Sequence, residues 1–369
     1  MQRSPWPDFY FAFCILHFAF IPLFLASCGQ PSVQDRAEGL LAGAEAYLWA
    51  QQGEDGGWHS ATHGIVRGGE AWTPFILHAL GDGPGRELAL EFLRSRLDSA
   101  GALGRSSPIV LEYPNYATAL ALRVLKDDPD IAGRMRAYLL GQQFGPGRGI
   151  SEDHPAFGGW GFGEVGLPAG SVGHVDLSHT RRVLEALREA GGASDSVYTR
   201  AQVFLDRLQN RGRPTYDGSF YYAPLAVFAN KGGFTADSAG APVYRGYATA
   251  TCDGLLALLA AGVHREDPRV RDAHAWILAH PRLDAPEGIP ENEPAGWDRA
   301  MVFYHLMVRA EVYAAMGGPE GWREEIMALL ETRVCDDDSF VNPAGAPNKE
   351  DDPLLATTFM VRALRAVLE

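Results

Sequence analysis

The chain has 369 residues, 46% of them apolar, and its 46 acidic against 32 basic residues give a formal net charge of -14. The cations are 29 Arg and only 3 Lys, with no basic stripe, which argues against nucleic acid as a partner because phosphate contacts need clustered cations. Roughly 340 residues beyond the N-terminal segment are enough for one large core or two modest ones.

In chain order, the first element is a targeting segment. Arg3 is the basic residue ahead of a nearly wholly apolar run from Phe9 to Leu25, which leads into Leu25-Ala26-Ser27-Cys28. That order resembles a bacterial lipobox. The resemblance implies a lipoprotein signal peptide over 1–27, acylation of Cys28, a tether over 28–34 and a single domain over 35–369. The protein is then exported and lipid-anchored on the periplasmic or extracellular side of a membrane. The alternative is an uncleaved anchor, although the run is slightly short of the roughly 18–20 residues a span needs. Cys252 and Cys335 remain, and their separation in sequence leaves their pairing open.

Beyond the tether, apolar spacing predicts helices over 35–51, 70–81, 85–99, 115–126, 129–142, 176–190, 193–209, 245–262, 267–279, 297–316, 319–333 and 353–368, twelve in six pairs. The pairs are copies of one unit. Thr73, Thr118, Thr180, Thr251 and Thr357 are each followed six and seven residues later by a small apolar residue and a leucine, as in Ala79-Leu80 and Ala363-Leu364. The helix over 297–316 lacks the threonine but holds the same place. Gly and Pro cluster between helices, and strand signals are nearly absent.

The first helix of a pair ends in a recurring way. "AYLWAQQGEDGGW" and "AYLLGQQFGPGRGISEDHPAFGGWGF" both run from Tyr-Leu-x-x-Gln-Gln to Gly-Gly-Trp, at Trp58 and Trp160, with weaker copies at "DGSF" and "DDDSF". Glycine releases the chain, the aromatic packs back over the helix end, and glutamine satisfies open backbone groups. This pattern resembles the QW motif of the squalene–hopene cyclase and protein prenyltransferase superfamily. The resemblance implies an all-α fold, an (α/α)6 toroid, with the second helix of each pair lining the inside. A closed ring fits the repeat, because one pair cannot bury its apolar face alone.

Fold does not supply a reaction. Cyclases of this superfamily protonate an alkene with the middle carboxylate of Asp-x-Asp-Asp, and the corresponding string here is His174-Val175-Asp176-Leu177, with both flanking carboxylates gone. A protonated His174 would hold Asp176 ionised. No acidic run has the Asp-Asp-x-x-Asp spacing that holds magnesium, and Cys252 lacks the Asp-x-Cys setting of a zinc-binding prenyltransferase. No cofactor and no metal is expected.

Asp176 reads first as the N-cap of its helix, where exchange for Asn costs no more than about 1 kcal/mol. The competing reading is a catalytic site at a cavity mouth formed by His174, Asp176 and His179. Trp160, Phe162, Tyr221, Tyr222, Tyr247, Asp253, Phe303, Tyr304 and His305 are candidates for lining a cavity, with Phe220 and Trp297 among the same aromatics; their plainer role is core packing. "KEDDP" at 349–353 reads as a helix cap. Three functions compete. The first is binding of a hydrophobic, isoprenoid-type small molecule, with a divergent cyclase or transferase as its enzymatic form. The second is an envelope scaffold for a protein partner, and the third a glycan-processing enzyme pairing Asp176 with Asp217 or Asp253. An open ring centre favours the first and a plugged one the second.

Overall fold

The structure, a computed structural model, describes residues 31–168, 170–212 and 216–369. The expected signal segment and Cys28 lie outside the described residues.

The helices in chain order are α1 (Val33–Ala50), α2 (Trp72–Leu80), α3 (Arg86–Arg96), α4 (Pro114–Leu125), α5 (Pro129–Gln142), α6 (Leu177–Ala190), α7 (Asp195–Leu208), α8 (Ala248–Ala260), α9 (Pro268–Ala279), α10 (Trp297–Ala300), α11 (Val302–Met316), α12 (Trp322–Glu331) and α13 (Pro353–Leu368). Several start at an Asp-Pro step. Asp128, Asp267 and Asp352 accept backbone N–H bonds from Ile131, Arg269 and Leu354, and the following proline takes the first helical position, where its missing N–H costs nothing.

Helices α2, α4, α6, α8, α11 and α13 form an inner ring in which each packs on the next and α13 returns to α2. Helices α1, α3, α5, α7, α9 and α12 form the outer ring, each against its neighbouring inner helices, and α1 closes it by packing on α12 and α13. This is an (α/α)6 toroid. All long connections, such as 51–71, 143–176 and 209–247, run from the end of an outer helix to the start of an inner one. They therefore share one end of the ring, and short turns close the other.

Two details depart from the expected pattern. The helix predicted over 297–316 breaks at Met301, because the Glu350 carboxylate accepts the backbone N–H groups of Phe303 and Tyr304 and caps α11 as a fresh start. The long connections also hold three antiparallel two-stranded ladders: β1 (Trp160–Gly161) with β2 (Val175–Asp176), β3 (Gln209–Arg211) with β4 (Tyr216–Phe220), and β5 (Phe234–Ala236) with β6 (Pro242–Tyr244). Buried loop backbone must be paired, and the first two ladders pair it, while β5 and β6 form an exposed hairpin.

The repeat threonines explain the unit's coherence. In each marked inner helix the threonine Oγ1 accepts the N–H of the loop residue ahead of it: Trp58 on Thr73, Leu103 on Thr118, Trp160 on Thr180, Phe220 on Thr251 and Phe340 on Thr357, all within 2.9–3.1 Å. In α11 the place is taken by His305, whose Nε2 lies 2.9 Å from the Arg282 carbonyl. The glutamines bind across units. The Nε2 of Gln143 donates to the Gly158 carbonyl of its own loop and to Val197 of the next outer helix, and Gln52 and Gln209 repeat the arrangement. Trp58 and Trp160 donate their indole N–H to the Leu48 and Leu139 carbonyls at the ends of the preceding outer helices.

Two glycines of this loop are obligatory. Gly56 and Gly158 have φ of 89°, and a Cβ on either would collide with the backbone of the next outer helix, at Leu88 and Arg200. In the last unit that place is held by Asp338, with φ of 64°. There the neighbouring outer helix, α1, supplies the glycine instead: a Cβ on Gly43 would meet the Asp338 side chain at 2.8 Å.

Candidate functional site

A cavity of about 340 Å³ occupies the end of the ring where the inner helices begin. All six inner helices give it residues from near their first turns: Trp72 and Phe75, Tyr116, Ser178 and His179, Thr249 and Ala250, Tyr304, and Leu355 and Phe359. The connections add Tyr113, Phe162, Tyr222, Lys231, Tyr247, Trp297 and Lys349. Ten of its 23 lining residues are Phe, Tyr or Trp. Phe162 stacks on His174 at 4.2 Å between centroids, and Tyr113 and Phe162 meet edge to face at 5.2 Å.

Asp176 lies behind this wall, fully buried. It caps α6: its Oδ1 accepts the His179 backbone N–H at 2.9 Å and the Ser178 hydroxyl at 3.1 Å. Its Oδ2 lies 2.9 Å from His174 Nε2 and 2.8 Å from His179 Nδ1, close contacts without in-line hydrogen-bond geometry. Burial opposes ionisation of Asp176, but the charge of His179 and the contacts from both rings outweigh it and hold the carboxyl far below the usual range. As an ionised group it accepts hydrogen bonds.

Beneath the cavity the ring is plugged by charge. Arg181 binds Glu185 at 2.6 Å, Asp253 at 2.8 Å, and Glu311; Arg182 and Arg123 also bind Glu185, and Arg362 binds Glu311. Burial opposes ionisation of Glu311, yet Arg362 and Arg181 hold its pKa down at about 2. Burial pushes Asp253 up against the pull of Arg181, and the Tyr304 hydroxyl donates to its second oxygen at 2.7 Å. The ring centre is thus neither wholly open nor wholly filled. It is an aromatic cup with an ionic floor.

Of the residues singled out in the sequence, Phe162, His179, Tyr222, Tyr247, Asp253 and Tyr304 line the cup, and His174 and Asp176 stand behind Phe162 and His179. Trp160, Tyr221, Phe303 and His305 do not. Trp160 packs over the end of α5, Tyr221 donates its hydroxyl to the Arg207 carbonyl, Phe303 packs on Phe340, and His305 stands in for a repeat threonine. Burial, reinforced by Arg309, brings the pKa of His305 down to about 3, so it is neutral. Cys252 and Cys335 are both free thiols, and Cys252 is buried. No group of side chains suited to a metal ion occurs among the described residues, nor does any helix long and apolar enough to cross a membrane.

Sequence reasoning missed Trp72, Phe75, Tyr113, Tyr116, Lys231, Lys349 and Phe359, and the whole ionic floor. A signal existed. Position Thr+2 of the five marked copies holds Phe75, Leu120, Arg182, Asp253 and Phe359, and Thr+5 holds His78, Arg123, Glu185, Leu256 and Arg362. Aligning the copies on their threonines would have shown one aromatic and polar layer above one charged layer.

No protein-family profile and no curated protein sequence matches the chain. Solved structures do match. A variant of the type II terpene cyclase MstE from Scytonema, in complex with its product merosterolic acid A, aligns with a TM-score of 0.57 at 16% identity, covering 91% of this chain and 98% of that one. The fold is a terpene cyclase-like α/α toroid. MstE without ligand aligns with the toroid at a TM-score of 0.54 and 15% identity, over 91% and 99% of the two chains. A glycosidase variant reaches 0.51 at 14% identity over 92% and 99%, so the same toroid also serves glycan chemistry.

Proposed function

We propose that this toroid is a lipid-anchored envelope protein that holds a short isoprenoid-type ligand in its aromatic cup, and that it does not begin a cyclisation from Asp176. The observation that carries the reading is the cup itself: one aromatic-walled cavity to which all six inner helices contribute. Its volume is at the small end for small-molecule sites, which favours a short isoprenoid over a triterpene. MstE, on the same fold, is described with a terpenoid product. The ionised state of Asp176 weighs against proton donation, and any enzymatic form of this function is a divergent cyclase or transferase using another group.

The membrane enters through Cys28 and through the mouth of the cup. Ile65, Ile109, Val165, Leu225, Phe228 and Phe234 are exposed on the long connections at that end of the ring, Ile109 and Phe228 by 90% and 98%. The glycan-processing reading needs two carboxylates able to exchange protons across a groove. Asp176 is held by two histidines, Asp253 by Arg181 and Tyr304, and Asp217 accepts from Ser219 away from the cup. Nothing in these contacts favours it.

Lipid extraction of protein purified from membranes tests the ligand. A terpenoid enriched on the wild type and absent from Ala71→Phe, which places a ring inside the cup, is the expected result; identical extracts from both would contradict it. Expression of Cys28→Ala in a lipoprotein-competent bacterium tests the anchor. Loss of fatty-acid labelling and a shift out of the membrane fraction are expected, and unchanged labelling would remove the lipid anchor from the account.

A further inference from the structure

The chain uses lysine three times, at Lys126, Lys231 and Lys349, against 29 arginines. Lys231 and Lys349 both line the cup. Guanidinium is the better group for holding a carboxylate or phosphate and is used throughout the ionic floor, so lysine at the cup asks for something guanidinium cannot do. An amine can lose its proton and attack a carbonyl.

Lys231 has the setting for it. Its Nζ lies 4.4 Å from the ring centroids of both Tyr222 and Trp297, and its hydrogen bond is to the Ala229 carbonyl at 3.3 Å. Among the described residues no carboxylate comes within 4.0 Å of it. Lys349, by contrast, is engaged by the Tyr113 hydroxyl at 3.2 Å. Solvent reaches part of the Lys231 side chain through the mouth, while protein crowds its ammonium. Burial lowers its pKa to about 8, with Asp176, Asp253 and Glu293 opposing at longer range and the phenols of Tyr222 and Tyr247 also lining its side of the cup. At neutral pH such a lysine presents roughly a hundredfold or more free amine than an ordinary one.

We infer that Lys231 is a carbonyl-capture site: its amine forms a Schiff base with an isoprenoid-type aldehyde whose hydrocarbon tail lies in the aromatic cup. Nζ attacks the carbonyl carbon and a C–N bond forms. The amine's two protons pass to the carbonyl oxygen, which leaves as water, and a C=N bond remains. The Tyr222 ring, its centroid 4.4 Å from Nζ and its hydroxyl 3.2 Å from that of Ser178, walls this side of the cup. The inference rests on the cup being an isoprenoid site, and the test separates the two.

The probe is citral, a short isoprenoid aldehyde, trapped with cyanoborohydride and located by peptide mass spectrometry; binding of geraniol, the corresponding alcohol, is measured in parallel. With three lysines the map is simple. The expected result is one reduced adduct on Lys231, rising to half its maximum near pH 8, with Lys126, outside the cup, and Lys349, engaged by the Tyr113 hydroxyl, at least tenfold lower at neutral pH. Lys231→Arg should lose that adduct at an unchanged melting temperature, with geraniol binding read on the wild type. Equal labelling of all three lysines, or no labelling of Lys231, overturns the inference even where geraniol binds. Labelling of Lys231 without geraniol binding sustains the capture site and sinks the isoprenoid reading of the cup.

Discussion

Asp176 shows how one residue's role follows from what surrounds it. The sequence placed it correctly as a helix cap and paired it with His174 and His179, since both lie within three residues. Its complete burial was not legible, because that depends on how its own connection folds Phe162 back beside it and on Tyr222 arriving from the next one. Burial changes the expected cost of Asp176→Asn. An exposed cap would lose no more than about 1 kcal/mol, whereas removing the buried charge that the half-buried His174 and the buried His179 face should cost about 1–3 kcal/mol at neutral pH. Because the folded carboxyl titrates below its unfolded value, its contribution is present above about pH 4 and fades as pH falls through the folded value. The gap between wild type and variant in urea melts should therefore narrow below about pH 4. A gap that widened on acidification would mean that Asp176 is protonated in the fold. Squalene incubated with wild type should give no cyclic product; a product lost in the variant would make Asp176 the acid after all.

At the scale of the element, the inner helix is specified by its threonine more than by its apolar face. Each Oγ1 satisfies a buried N–H of the preceding loop, so the mark that revealed the repeat is also the bond that joins loop to helix. Thr251→Val keeps the shape but strands the Phe220 N–H, and should cost about 1–3 kcal/mol, while Thr251→Ser, which keeps the acceptor, should cost clearly less. Equal denaturant midpoints for the two variants would show that the hydroxyl is not the reason for the repeat. Helix existence, order and pairing were legible because period and caps are local. The break at Met301 was not, since its cause, Glu350, arrives from the last connection. The charged layer at Thr+5 was missed for a related reason: apolar spacing treats every charge as outward-facing, and in a ring the inner helices have two buried sides.

At the scale of the molecule, closure decides what the protein can hold. Six units bring six helix starts together at one end, the long connections wall them with aromatics, and the charged groups around Arg181, Glu185, Glu311 and Arg362 floor the cup beneath. Six pairs and a ring could be counted from the sequence. A cup with a floor could not, because its depth depends on which side chains meet across the centre. The most direct measurement is titration of the purified protein with farnesol, followed through the fluorescence of Trp72 and Trp297, which line the cup. Saturable binding of one prenol per chain is predicted, lost in Ala71→Phe at an unchanged melting temperature. Unsaturable partitioning, or equal binding by that variant, would contradict the account.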